Sequence, residues 1–313
     1  MNALITYLRE LTRAAVEGWN RFFFAPSDPA TVGLVRLLAG SMMFYTHLVW
    51  TLALDDFFGT HAWVTPASAA DGVGLQSRFA WSYFWDVPSS GALWMLHIAT
   101  LVIMAMYALG LFTRVTTGLS WLAAIAYANR TPGALFGLDQ INTMLAMYLT
   151  LAPAGEAFSL DRWLKAHRAG GLLPKSQPSV SANLAARLIQ LHMCVIYFFA
   201  GLSKLQGNTW WDGSALWWGF ANYEYQSLDM TWMAGAPLLV AMLTTITVYW
   251  ELSFCVLVWP RILRPLVLFM AIPLHLGIGV CLGMMTFGLV MLIALVSFIP
   301  PDVVRATFTR TSK

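Results

Sequence analysis

Of 313 residues, 58% are hydrophobic and 11% carry charge, more apolar surface than one water-soluble core can bury. That balance excludes an ordinary soluble enzyme and predicts an all-α, polytopic helical membrane protein. The net charge of +3 is too small to suggest nucleic acid as a partner.

Residues 1–24 place Leu4, Leu8, Leu11, Ala15, Trp19 and Phe22 at helical spacing, with Arg9, Glu10, Arg13 and Glu17 on the other face. The pattern predicts an amphipathic helix lying in the membrane interface, or else packed on the inner loops. Its charges interrupt any apolar core of a cleavable signal. A helix needs about 20 apolar residues to cross a bilayer. Stretches of this kind predict spans at 30–53, 88–111, 115–129, 139–153, 184–204, 232–259, 264–283 and 285–299, within a membrane domain covering 25–300 and followed by a tail at 301–313. The spans at 115–129, 139–153 and 285–299 are short and rely on local thinning or on shelter by neighbours. Six spans with re-entrant pieces is the other arrangement the pattern allows.

Basic residues concentrate in cytoplasmic loops, which tests the count. With the N-terminus inside, the inner side receives Arg9, Arg13, Arg21, Arg114, Arg162, Lys165, Arg168, Lys175, Arg261, Arg264, Arg305, Arg310 and Lys313. The outer side receives Arg78, Arg130 and Lys204. This asymmetry favours eight crossings with both termini cytoplasmic. Between spans, residues 54–87 carry Asp55, Asp56, His61, Trp63, Asp71, Trp81, Trp85 and Asp86, as expected of an ordered outer cap with aromatic feet. Residues 154–183 form a basic inner connection with Gly170, Gly171, Pro174 and Pro178 in its middle and end. Cys194, Cys255 and Cys281 stand singly in apolar spans, and no histidine pairing has ligand spacing, so no metal site is expected.

Ionisable groups inside a membrane cost about 2.5–3.5 kcal/mol each on insertion scales and therefore mark sites. In the inner half, Arg36 and Glu251 are the opposite charges expected to form a structural ion pair, with Arg187 as a competing partner. The outer half holds His47, Asp139, Gln140, Asn142, Lys204 and His275, with His97 nearer the middle. Helix packing would gather these around one outward-facing cavity. After Lys204 come Trp210, Trp211, Asp212, Trp217, Trp218 and Phe220, which fit a short interfacial or re-entrant helix over the mouth, or a plain aromatic belt. Lys204 itself has two readings: a snorkelling anchor, or a chemically active amine.

Ile196-Tyr-Phe-Phe-Ala-Gly-Leu-Ser-Lys-Leu205, followed by Trp211-Asp-Gly213, resembles the lysine-bearing region of the vitamin K-dependent γ-carboxylases and their bacterial relatives, the HTTM (horizontally transferred transmembrane) family. Glu251-Leu-Ser-Phe254, Arg261, Arg264-Pro265, His275 and Gly283-Met-Met-Thr-Phe-Gly-Leu-Val-Met291 are similar to the family's later helices in order and spacing. Leu34-Val-Arg-Leu-Leu-Ala-Gly40, Asp139-Gln-Ile-Asn142 and Leu151-Ala-Pro-Ala-Gly-Glu-Ala-Phe-Ser-Leu-Asp161 look like the bacterial members. The resemblance implies a bacterial inner-membrane protein in which Lys204 deprotonates a reduced, vitamin K-like quinone. Oxygenation of the quinone then yields a stronger base that removes the γ-proton of a glutamate, and the carbanion captures carbon dioxide. His275 would hydrogen-bond the quinone oxygen, while Asp212 would tend to keep Lys204 charged. His47, Asp139, Asn142, Trp210 and Trp211 complete the expected binding set, and no metal is implied. The family's Asn-His pair is replaced by Asp139-Gln-Ile-Asn142, so its roles do not carry over. The chain also ends soon after the last span, without the carboxylases' large luminal region, so carboxylation of a propeptide-bearing protein is not expected. The expected partners are the bilayer, a quinone and a peptide or protein substrate. The alternative is a non-catalytic lipid- or peptide-binding protein that assists maturation or export of a partner.

Overall fold

The computed structural model describes residues 2–74, 79–171 and 176–308. Arg78, Pro174, Lys175, Arg310 and Lys313 lie outside the described residues. In chain order the helices are α1 (Asn2–Phe24), α2 (Ala30–Trp50), α3 (Leu54–Phe58), α4 (Pro66–Gly74), α5 (Ser90–Leu109), α6 (Thr113–Arg130), α7 (Gly137–Leu149), α8 (Leu160–Arg168), α9 (Val180–Lys204), α10 (Asn208–Trp211), α11 (Ala215–Phe220), α12 (Pro237–Leu257), α13 (Arg264–Cys281), α14 (Met285–Leu295) and α15 (Pro301–Phe308). Extended pairing among the described residues is limited to one bridge, Ser27 with Ser179.

Five segments are long and apolar enough to cross a membrane: Ala30–Phe58, Ser90–Leu109, Val180–Lys204, Pro237–Leu257 and Arg264–Cys281. A sixth arises if Met285–Phe298 and Pro301–Phe308, bent by 110° from each other, are taken as one. Of the expected short spans, α6 covers 115–129, while the helix in 139–153 ends at Leu149. However, α6 begins and ends beside Arg114 and Arg130, and α7 has 13 residues, so neither reaches that standard. The all-helical character expected from composition is present, and the fold fits an integral membrane protein.

The chain divides into two compact units, one of Met1–Pro132, Thr143–Ile189 and Ile299–Lys313, the other of Gly133–Asn142 and Gln190–Phe298. In the first unit, α5 starts where the Ser89 hydroxyl accepts from the Ala92 amide. It stops at Gly110, whose φ of 72° suits glycine and lets Leu111 N–H bond back to Met106 O at 2.8 Å. Helix α6 starts three residues later, at Thr113. The Asp161 carboxylate accepts from the amides of Phe112 and Thr113, both at 2.8 Å, and from the Thr113 hydroxyl at 2.6 Å. Ser159 in turn caps α8 by accepting from Arg162 N at 3.0 Å.

Arg36 completes this clasp. Fully buried in α2, it donates to the carbonyls of Tyr107, Ala108, Ala157 and Phe158. The expected pairing of Arg36 with Glu251 is therefore corrected: both Nη nitrogens of Arg36 bond carbonyl oxygens at the end of α5 and just before α8, while Glu251 pairs with Lys204. Gly33 and Gly40 keep the approach open, since a Cβ at either would meet Ala157 O at 2.8 Å or Ala108 Cα at 2.7 Å. Near the termini, Asn183 donates to the Phe22 and Phe23 carbonyls, and Arg305 makes a two-point bond to Asp28 at 2.6 and 2.7 Å. Helix α1 itself is exposed from residue 3 to residue 21.

In the second unit, α13 and α14 form a tight hairpin turned at Gly283 (φ 70°). Gly279 lies against Met285, and Gly288 lies against the carbonyl of His275. Gly201 similarly lets α9 meet α12, because a Cβ there would stand 2.8 Å from the Leu252 side chain and 3.2 Å from its backbone nitrogen. Phe220, Met233 and Val240 form a separate small core under α11, flanked by Leu216 and Trp217.

Candidate functional site

Tyr197, Gly201 and Lys204 follow one another at i, i+4 and i+7, which puts them on one face of α9. The glycine brings that face against α12, so the groups above and below it meet side chains of α12 and α13. Lys204, the last residue of α9, points its Nζ at both oxygens of Glu251, 3.0 Å from Oε1 and 2.7 Å from Oε2. The hydrogen-bond geometry is good at Oε1, while Oε2 is held by charge and proximity. Glu251 is 9% exposed and Lys204 21%, so the pair is largely removed from solvent. The Lys204 ammonium also stands 5.2 Å from the ring centre of Trp210, a cation–π contact from the short helix α10.

Two turns before Lys204, Tyr197 and His275 share a hydrogen bond of 2.7 Å between Oη and Nε2, both side chains buried. Trp250 stands edge-on to Tyr197 at 4.9 Å, and Phe254, one turn further along α12 and in contact with Trp250, packs on it at 4.4 Å. The indole N–H of Trp250 is anchored on Val267 O at 3.2 Å. His275 lies two residues after Pro273, a proline inside α13. Its Nδ1 is buried and meets no partner from the protein. Chemically, this is a buried ammonium–carboxylate pair and, on the same helix faces, a phenol–imidazole pair with one open imidazole nitrogen.

The other expected residues divide between the units. His47 is in the first, its Nδ1 bonded to Met43 O at 2.8 Å and its ring 4.6 Å from that of Tyr127. There it joins a different network, in which His97 is bonded to Tyr127 Oη at 2.6 Å and to Thr51 Oγ1 at 2.9 Å. In the second unit, Asp139 accepts from the Phe136 amide at 2.9 Å, at the start of α7, and Asn142 is buried with an Oδ1 that no donor reaches. Trp211 donates to Leu205 O at 2.8 Å and is largely exposed. Asp212 accepts from Ser214 N at 2.8 Å, a contact that holds its carboxyl below the usual range. The carboxylate facing Lys204 is thus Glu251 rather than Asp212. Among the described residues, no group of three or more His, Cys, Asp and Glu side chains could hold a metal ion.

Sequence reasoning did not single out Tyr197 or the Lys204–Glu251 partnership. The i, i+4, i+7 spacing was a usable signal for Tyr197. Glu251 is assigned to Arg36 by inferred depth alone, which carries no record of the close approach at Gly201 that brings Lys204 to it.

No curated protein and no solved structure matches the chain. The family model described as HTTM domain matches residues 24–303, from the end of α1 into α15. That stretch contains the carbonyl-bound Arg36, the Asp161 cap, Lys204 with Glu251, and His275. The chain belongs to the HTTM domain family.

Proposed function

We propose that the protein performs quinone-dependent base chemistry, with Lys204 and Glu251 as the proton-accepting pair and the Tyr197–His275 pair as the polar partner of the substrate oxygen. The observation that carries this reading is the pairing of Lys204 with a buried carboxylate on the helix face that also presents Tyr197 to His275. A reduced quinone, when bound, supplies a weakly acidic ring hydroxyl. The residues present fit such a group, since His275, with its open Nδ1, lies in a buried aromatic setting of Tyr197, Trp250 and Phe287.

Abstraction of a proton by Lys204 requires its amine to be free of its own proton, and Glu251 is the acceptor in reach at 2.7 Å. In a medium that solvates charge poorly, the ion pair and its neutral amine–carboxylic acid form lie closer in energy than they do in water. Glu251 thus holds the proton while Lys204 works as base. The Tyr197 hydroxyl fixes the His275 ring through Nε2, leaving Nδ1 to orient a substrate oxygen. Trp210 covers the ammonium and helps to keep water out.

On the same reading the chain crosses the bilayer eight times, with both termini cytoplasmic, α6 and α7 being sheltered short spans. Helix α1 lies in the inner interface, residues 25–300 form the membrane domain, and the membrane is a bacterial inner one. The competing reading is a non-catalytic lipid- or peptide-binding protein, in which Lys204 and Glu251 only lock α9 to α12. Extraction of lipids bound to the purified protein separates the two. A co-purified quinone that is lost in His275→Ala, in protein that still folds, supports the site. A quinone-free preparation that also fails to bind added quinone contradicts it.

A further inference from the structure

Arg130 ends α6 with its side chain fully buried. Its Nη2 donates to Gly59 O at 3.2 Å, a carbonyl that also accepts from Ala62 N at 3.2 Å. Its Nε and Nη1 are buried and meet no acceptor. A guanidinium removed from water in this way loses its hydration without compensation, which is costly unless an anion replaces it. A second orphan follows a residue that packs on α6. Phe84 packs against both Phe58 and Tyr127, at 5.0 and 4.7 Å, and the next residue, Trp85, has a buried indole N–H with no acceptor. Tyr127 is one turn before Arg130 on α6, and Phe58 directly precedes Gly59.

We propose that Arg130 is the receptor for a small carboxylate, with Trp85 as a further donor. A planar guanidinium presents two parallel donors as Nε with Nη2 or as Nη1 with Nη2, and the second hydrogen of Nη2, beside the free Nε or Nη1, completes an edge that matches the two oxygens of a carboxylate. The other titratable groups bonded within or onto this aromatic cluster are His97, Tyr127, Tyr83 and Asp55, whose carboxylate is already held at the rim by Ser90 and Trp94, and His47 stands edge-on to Tyr127; none is a fixed cation. One positive charge balances a monoanion such as acetate or bicarbonate, whereas a phosphate dianion would leave a buried negative charge uncompensated. The site lies wholly within the first unit and does not depend on the quinone reading.

The test is thermal unfolding of the full-length protein in detergent, titrated with sodium acetate or bicarbonate against chloride at constant ionic strength, with inorganic phosphate as a third arm. Wild type is expected to show a saturable rise in Tm with acetate or bicarbonate, and R130Q to show none. Should R130Q fail to fold, W85F decides: its apparent affinity should fall at least about tenfold for one lost charge-assisted bond. The proposal is overturned if wild type gives no saturable rise with either carboxylate, if phosphate alone raises Tm, or if R130Q responds as wild type does. With W85F as the deciding variant, an unchanged affinity overturns it too.

Discussion

Replacing Glu251 with Gln removes one partner of a buried ion pair and leaves Lys204 with an amide in place of a carboxylate. Breaking a fully buried pair in this way costs about 3–5 kcal/mol. Here Lys204 retains 21% exposure and keeps Trp210 at 5.2 Å, so partial hydration and the cation–π contact recover some of the loss. About 2–3 kcal/mol is expected for Glu251→Gln, and a similar loss for Lys204→Met, which strands the carboxylate. The double variant should lose much less than the sum, because neither charge is then left alone. A double-variant cycle, read by reversible unfolding in mixed micelles, should give a coupling energy of about 2 kcal/mol. Losses that add to within about 0.5 kcal/mol would mean that the two groups do not sense each other, and the proton exchange assigned to them would fall with that result.

Four further expectations follow from other parts of the fold. Gly201→Leu should destabilise by about 1–3 kcal/mol by overpacking against Leu252, measured in the same assay; a neutral result would refute the close approach of α9 and α12. Asp161→Ala should cost about 1–2 kcal/mol through the lost cap of α6. Burial works against the Asp161 charge, but the bonds from Thr113 and Phe112 hold its carboxyl below the usual carboxylate range. Its stabilisation is thus complete above the unfolded value and is lost as pH falls through the folded one. Wild-type Tm should decline more steeply than that of Asp161→Asn below about pH 4, and parallel curves would refute this. Tyr197→Phe should cost about 1 kcal/mol and leave His275 without its Nε2 partner, with a shifted imidazole NMR signal as the check. A peptide of residues 2–21 should become helical on anionic vesicles and not in buffer; equal circular dichroism in both would contradict the interfacial placement of α1.

The long apolar spans were legible because twenty apolar residues between polar connections have few alternatives in a chain of this composition. Local signals at the helix ends, Ser89, Gly110, Pro237 and Pro265, play no part in setting the expected span bounds, and the span at 232–259 accordingly begins five residues before Pro237. Pairing was harder to read. Arg36 and Glu251 were matched as opposite charges at similar inferred depth, yet a helix terminus offers carbonyls that serve a guanidinium as well as a carboxylate does. No periodicity records that option. Lys204 was located correctly as the polar end of α9, but its partner depends on how closely α9 and α12 pack, which rests on Gly201. The histidines were gathered into one cavity by depth alone. Depth carries no information about rotation, and His47 and His275 belong to different networks. The Leu151–Asp161 segment, which helped to carry the family resemblance, proves to be a structural clasp in which Asp161, Ser159 and the Phe158 carbonyl each hold a different helix.

The central claim concerns Lys204 as a base, and the most direct test is the consumption of a reduced quinone by the purified protein in the presence of oxygen and carbon dioxide. The account predicts turnover to the epoxide by the wild type and its loss in a folded Lys204→Ala variant. Equal turnover with and without the lysine, or none by wild-type protein shown to bind the quinone, would contradict it.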